Sequence, residues 1–228
     1  MFNQKPILQV ALDFEHLTDA ERIARILQKE LADVEYLCEA GTPLIKNEGL
    51  KIVIPRLRGI VGTETKISAD LKTLDTGAFE VELAYRSGAD MVGIAGVAEE
   101  ETIDAALAKA KNLKMTAIVD SLGIMNIDGR LEAIEEKISS YIKEGGDAVL
   151  EYHIPIDIQT KARDFTQVRE MHERSHIPIA VAGGLDEHTI PEILDYGASI
   201  CIVGGTITRP KKGTPEEAIR KIKKIIYQ

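Results

Sequence analysis

Eight short runs rich in Val, Ile and Ala punctuate the chain: ILQVALD, VEYLCEAG, TKISADL, ADMVGIAG, MTAIVDS, DAVLEYH, IPIAVAGG and ASICIVGG. Between them lie amphipathic segments, among them LTDAERIARILQKEL, GAFEVELAYRSG, EEETIDAALAKAKN, RLEAIEEKISSYIKEG, FTQVREMHERS and EHTIPEILDYG. Their apolar residues fall three and four apart, the period of a helix. The last segment, TPEEAIRKIKKII, opens on Thr214, Pro215 and two glutamates, the chemistry of a helix start. Strands alternating regularly with helices predict a parallel sheet, and eight such units predict an α/β fold closed into a (β/α)8 TIM barrel. An open doubly wound sheet usually has fewer strands, and its G-x-G-x-x-G turn after the first strand is missing here. No Pro/Ser-rich linker interrupts the alternation, so residues 1–228 are read as one barrel domain.

Such a barrel collects its chemistry at the C-terminal ends of its strands. Taken in order, those ends carry Asp13, Glu39, Asp70 with Lys72, Asp120, His153, the pair Gly183–Gly184 and the pair Gly204–Gly205. The fourth run, ending GIAG, offers no side chain. Alternate residues of a strand share a face, so Asp70 and Lys72 point the same way if the third strand reaches that far. One carboxylate at a strand end is ordinarily just solvated. Several on one rim repel each other unless a cation or a chemical task neutralises them. The glycine pairs follow the seventh and eighth strands, where many barrels bind phosphate through backbone amides that glycine leaves accessible. No G-x-x-x-x-G-K-[ST] occurs, which argues against a nucleoside triphosphate.

Composition narrows the setting. A hydrophobic fraction of 44% and a charged fraction of 29% are those of an ordinary globular chain. A net charge of −9 argues against nucleic acid, whose binders are basic. No apolar run spans a bilayer, and the N-terminus lacks a basic region followed by an apolar stretch, so a cytoplasmic protein is expected. Cys38 and Cys201 lie in apolar runs, fit no zinc spacing and read as core. The stretch HERSH, residues 172–176, satisfies the zinc-protease pattern H-E-x-x-H. It leads within two residues to Pro178 and the seventh strand, which puts His176 at the opposite end of the barrel from the expected site.

The segments LQVALD, EAGTPLIKNEG, ADLKTLDTGAFEVE, AVAGG and IVGG, spread from about residue 7 to residue 208, resemble the orotidine monophosphate decarboxylase superfamily. Its Asp-x-Lys-x-x-Asp signature is matched by Asp70, Lys72 and Asp75. Within it the likeness is to the aldehyde-lyase branch, which interconverts a hexulose phosphate with ribulose 5-phosphate and formaldehyde through an enediolate. The resemblance implies that Glu39 and Asp70 hold Mg²⁺, a hard cation suited to carboxylate oxygens. It implies that Lys72 stabilises the enediolate, and that Asp13 binds substrate hydroxyls or orients Lys72. Asp120 and His153 would handle protons, for which a histidine titrating near neutrality is suited. Amides of Gly183, Gly184, Gly204 and Gly205 would grip the phosphate. Asp75 would reach into a neighbouring subunit's site, which implies a homodimer.

The sister 3-keto-L-gulonate 6-phosphate decarboxylases typically place an Arg three residues after the strand-six His. Here that position is Ile156, while Asp157 and Gln159 keep the D-x-Q of the lyases. The lyases read His-Thr-Gly where this chain has His153, Ile154 and Pro155, a departure that bears on the substrate's distal contacts. Orotidine monophosphate decarboxylases carry an Arg beside the last glycine, where this chain has Thr206. A phosphosugar isomerase would share the barrel and glycine pairs without needing the Asp-x-Lys-x-x-Asp cluster. A non-catalytic phosphate-binding barrel would have no use for Glu39, Asp70, Lys72 and Asp75 together.

Overall fold

The computed structural model describes residues 5–124, 127–158 and 164–228. Its strands close into a parallel barrel in sequence order. They are β1 (Ile7–Leu12), β2 (Tyr36–Ala40), β3 (Lys66–Thr73), β4 (Met91–Ala95), β5 (Thr116–Asp120), β6 (Ala148–His153), β7 (Ile179–Ala182) and β8 (Ile200–Val203). β8 pairs back onto β1, with Ile7 opposite Ile200. Every apolar run singled out in the sequence is one of these strands.

The helices are α1 (Leu17–Glu30), α2 (Thr42–Glu48), α3 (Leu50–Val61), α4 (Gly77–Ser87), α5 (Glu100–Leu113), α6 (Arg130–Lys143), α7 (Thr166–Ser175), α8 (Thr189–Asp195), α9 (Gly205–Thr208) and α10 (Pro215–Ile226). α10 begins as its sequence predicts: Thr214 Oγ1 accepts from the Glu217 amide at 3.3 Å, and the Glu217 carboxylate accepts from the Thr214 amide at 3.0 Å. Three helices went unrecognised in the sequence: the four-residue α9, and the pair α2 and α3. The α2–α3 segment carries Pro55 inside a β-branched run, yet Val53, Ile54, Leu57 and Val61 bury one stripe at helical spacing. Packing overrides propensity there.

α7 stops at Ser175, and His176 follows in the left-handed region at φ 52°, so the two histidines of HERSH do not sit on one continuing helix. His176 enters the N-terminal side of β7, away from the strand-end rim. Among the described residues no helix is long and apolar enough to cross a membrane.

The core has two parts. One lies between strands and helices and holds both buried cysteines' neighbours, with Cys38 and Cys201 themselves fully buried. The other fills the barrel's lower interior with inward-facing Ile7, Leu37, Met91, Ile118, Val149 and Ile200. Above that apolar floor the inward positions turn polar: Gln9, Glu39, Ser68, Asp120 and Glu151 are all buried. The site stands on that floor.

Candidate active site

β3 does not carry Asp70 and Lys72 by simple alternation. Between Ala69 and Thr73 it advances four residues while β4 advances two, from Val92 to Ile94, so the strand bulges. Lys72 sits in the bulge at φ 47°, a left-handed conformation unusual for a side chain of its size. The two groups still meet, with Lys72 Nζ 3.2 Å from the Asp70 carboxylate. The silent fourth strand explains the room for this. A Cβ on Gly93 would lie 2.9 Å from Asp70 Oδ1 and 3.3 Å from Asp70 Cα, so β4 presents no side chain where the β3 bulge presses in.

Lys72 Nζ also reaches Asp120 Oδ2 at 2.6 Å, and that oxygen lies 3.1 Å from His153 Nδ1. The Leu122 amide donates to Asp120 Oδ1 at 2.8 Å. Asp120 is 1% exposed. Burial would raise its pKa, but the His153 hydrogen bond, the His153 charge and the Lys72 ammonium hold it below the ordinary carboxylate value. Burial likewise works against the Lys72 ammonium, and Asp70, Asp120 and Glu151 outweigh it, so Lys72 is held charged. His153 departs from the near-neutral titration expected of it. Burial lowers its pKa, but two carboxylates on Nδ1, Asp120 and Glu151, push it up to about 10. Both carboxylates favour the imidazolium form of the ring.

Glu39 projects from β2 and accepts from Gln9 Nε2 at 2.6 Å. Burial and the charges of Asp70, Asp13 and Glu151 drive its pKa well above the carboxylate range. Asp13 is raised too, by burial and by Asp70. Thr42 Oγ1, on α2, lies 2.6 Å from Asp70 Oδ2 and 2.8 Å from the Asp70 carbonyl, fixing that carboxylate's orientation. Five acids, Asp13, Glu39, Asp70, Asp120 and Glu151, thus face two cations, Lys72 and His153. The cations stand on the Asp120–Glu151 side. The other side holds the hard oxygen donors of Glu39, Asp13 and Asp70, with Glu39 and Asp13 raised by burial and by neighbouring carboxylates, a set that fits a divalent cation. Asp120, Glu151 and His153 also place ligand atoms within 4.8 Å of one another, but that trio is already balanced by Lys72 and by the histidine itself.

A cavity of about 1300 Å³ opens over these groups, lined by Asp13, Glu39, Asp70, Lys72, His153 and both glycine pairs. Gly183 at φ 116° and Gly184 at φ 70° turn the chain after β7, and Gly204 leads into α9 after β8. Thr206 Oγ1 donates to the Leu185 carbonyl at 2.6 Å and ties the two glycine turns together. Arg209, Lys211 and Lys212 also line the cavity; Arg209 follows α9 directly and donates to the Asp13 carbonyl at 3.2 Å, which keeps its positive charge near the turn after β8. Asp75 stands apart. It is exposed, caps the Thr76 amide at 2.7 Å and does not line the cavity of its own chain. Ile156 is 76% exposed at the cavity mouth, and Gln159 lies outside the described residues.

Sequence reading missed Glu151, Gln9, Thr42 and Arg209. Glu151 had a signal, since it precedes His153 by two on one strand and must share its face. Arg209 had none, because its place beside the glycine turns depends on how α9 folds back.

A family model described as the orotidine 5′-phosphate decarboxylase / HUMPS family matches residues 6–222. The chain is 31% identical over 219 residues to the 3-hexulose-6-phosphate synthase of Staphylococcus aureus (strain MSSA476), covering 96% of this chain and 98% of that one. It is 32% identical over 210 residues to the bifunctional enzyme Fae/Hps of Methanoregula boonei, covering 90% of this chain and 49% of the relative. The chain therefore spans about half the length of such bifunctional relatives. A crystal structure of 3-hexulose-6-phosphate synthase superposes with a TM-score of 0.81 at 30% identity, over 96% of this chain and 99% of the other.

Proposed function

The chain belongs to the orotidine 5′-phosphate decarboxylase / HUMPS family, and from that premise we propose that it is a Mg²⁺-dependent aldehyde-lyase. It interconverts D-arabino-hex-3-ulose 6-phosphate with D-ribulose 5-phosphate and formaldehyde. One observation carries the reading: Lys72 stands between Asp70, on the side with unbalanced carboxylates, and Asp120, which it shares with His153. A charge-stabilising group and a proton-moving group therefore meet at one spot on the cavity wall.

Glu39 and Asp70 would hold Mg²⁺, which when bound polarises the sugar's oxygens as a Lewis acid. The Lys72 ammonium, fixed in advance by two carboxylates, faces the negative charge that develops as the carbon–carbon bond breaks. The imidazolium form of His153 suits the cleavage direction, in which C1 of the enediolate must receive a proton. In condensation His153 takes that proton back after losing its own. Asp13 would hold a sugar hydroxyl. The turns at Gly183–Gly184 and Gly204–Gly205, with Arg209 beside them, would hold the phosphate. Ile156 supports the lyase over the sister decarboxylase, since an apolar group at the cavity mouth serves no carboxylate. A homodimer fits the exposed surface around Asp75, where Leu74 is 59%, Phe79 62% and Leu83 39% exposed. A second copy covering that surface would carry Asp75 towards its neighbour's cavity.

The test mixes purified protein with ribulose 5-phosphate, formaldehyde and Mg²⁺ and follows formaldehyde loss, with EDTA and Lys72→Ala as controls. Metal-dependent consumption that the variant lacks is the expected result. Carbon dioxide release from 3-keto-L-gulonate 6-phosphate, without formaldehyde consumption, would overturn it in favour of the sister decarboxylase. Absence of both reactions in folded, metal-loaded protein would remove the catalytic reading.

A further inference from the structure

Glu151 is the one acid of the barrel interior with no task so far. It lies on β6 two residues before His153, so both side chains face the lumen. Its Oε1 is 3.0 Å from His153 Nδ1, the same nitrogen that Asp120 Oδ2 approaches at 3.1 Å. The two acids are not equivalent. Asp120 Oδ2 is divided between His153 and Lys72, and its Oδ1 is taken by the Leu122 amide. Glu151 therefore supplies the carboxylate oxygen that Asp120 cannot give wholly to the ring. A buried carboxylate kept for structure alone is ordinarily surrounded by donors that satisfy both oxygens. Glu151 Oε1 instead meets a ring nitrogen whose proton it must share with Asp120, with the Lys72 charge nearby. The groups that bear on this pair are Asp13 just after β1, Glu39 on β2, Lys72 on β3, Asp120 on β5 and Ser121 after it, whose Oγ accepts from the His153 amide at 3.0 Å; Ala180, the register partner of Glu151 on β7, brings no charge.

Resting on the lyase reading, we propose that Glu151 is a positioning residue: with Asp120 it clamps the Nδ1–H of His153, fixes that tautomer, and leaves Nε2 as the atom that exchanges a proton with C1 of the sugar. In cleavage the Nε2–H bond breaks towards its nitrogen and the proton goes to C1 of the enediolate, whose electron pair forms the new C–H bond. The imidazole left behind keeps its Nδ1 proton between the two acids. Condensation runs through the same atoms in reverse. His153 reaches the cavity wall with Nδ1 already engaged on its inner side, as this assignment requires. The carboxyl of Glu151, pushed up to about 7 by burial and by the Asp120 charge and pulled back by His153, is matched to a partner whose charge changes each turnover.

The experiment uses the full Mg²⁺-loaded chain labelled with ¹⁵N in histidine, read by long-range ¹H–¹⁵N spectra from mildly acid to alkaline pH. In the wild type, Nδ1 should stay protonated throughout while Nε2 titrates. Glu151→Gln should lower the His153 midpoint by about one pH unit or more. The kcat profile should move by the same amount and kcat fall about 10- to 100-fold at neutral pH, with KM for ribulose 5-phosphate unchanged. Glu151→Asp, which keeps the charge, should restore part of the shift. A neutral Nε2–H tautomer in the wild type overturns the proposal without recourse to any variant. So does a Gln variant whose His153 titrates as before, or one that loses Mg²⁺ affinity instead. If the wild type consumes no formaldehyde with ribulose 5-phosphate, the lyase reading falls while the spectra still decide the clamp.

Discussion

Replacing Lys72 by Ala and by Gly removes the same ammonium from Asp70 and Asp120 but treats the backbone differently. Both variants leave Asp120, 1% exposed, without its closest cation. Stripping one partner from a buried pair costs roughly 3 kcal/mol, a cost common to both. The variants diverge because residue 72 sits at φ 47°. An alanine there carries the left-handed penalty of about 1–2 kcal/mol. Glycine avoids it but gives back about 0.5–1 kcal/mol in the entropy of the unfolded chain. The glycine variant should therefore be the more stable by roughly 0.5–1 kcal/mol, or about 1–4 °C in Tm for a domain of this size. Urea titration and calorimetry of both proteins in EDTA measure the difference directly, and neither variant should consume formaldehyde. If alanine proves as stable as glycine, the β3 bulge does not hold residue 72 in the left-handed region, and the account of how Asp70 and Lys72 meet is wrong.

Metal-free protein should lose stability steadily as pH rises. His153, raised from 6.5 to about 10, contributes fully below about pH 6.5 and loses its contribution as pH climbs through 10; Glu151, raised from 4.5 to about 7, makes the fold less stable as it charges between those values. A Tm that stays flat across this range, or a slope unaffected by His153→Asn, contradicts the clamp. Glu39→Gln should abolish Mg²⁺ binding in calorimetric titration while raising Tm in EDTA, because it removes a repelling buried carboxylate at a functional site. Gly183→Ala puts a Cβ 2.6 Å from both Ile154 Cβ and the Ile154 carbonyl oxygen at φ 116°, and should cost roughly 2–4 kcal/mol in urea unfolding along with weakened binding of the sugar phosphate. Phe79→Glu should yield monomers in light scattering and lose activity with them; a dimer that survives the change would place the interface elsewhere.

Much of the architecture was legible along the chain because barrel units are local. A strand is announced by a short apolar run, a helix by its three-and-four spacing, and repetition alone distinguishes a closed barrel from an open sheet. The same locality hid α2 and α3, where Pro55 and β-branched residues speak against a helix that packing nevertheless forms. The strand-end rule then located Asp13, Glu39, Asp70, Asp120 and His153 on one rim, and all but Asp120 line the open cavity, with Asp120 buried just behind Lys72 and His153.

What the linear pattern could not contain was how these groups act on one another. The meeting of Asp70 and Lys72 required a bulge opposite Gly93, which is a contact between two strands and not a property of either. Glu151 looked like one more strand residue until the barrel brought it and Asp120 onto the same ring nitrogen. The protonation of His153 turned from near neutral to about 10 for the same reason. Residue types and their spacing follow from the chain, because side-chain direction on a strand repeats every two residues. Charge states follow from distances and burial across several strands at once, and those exist only when the barrel has closed.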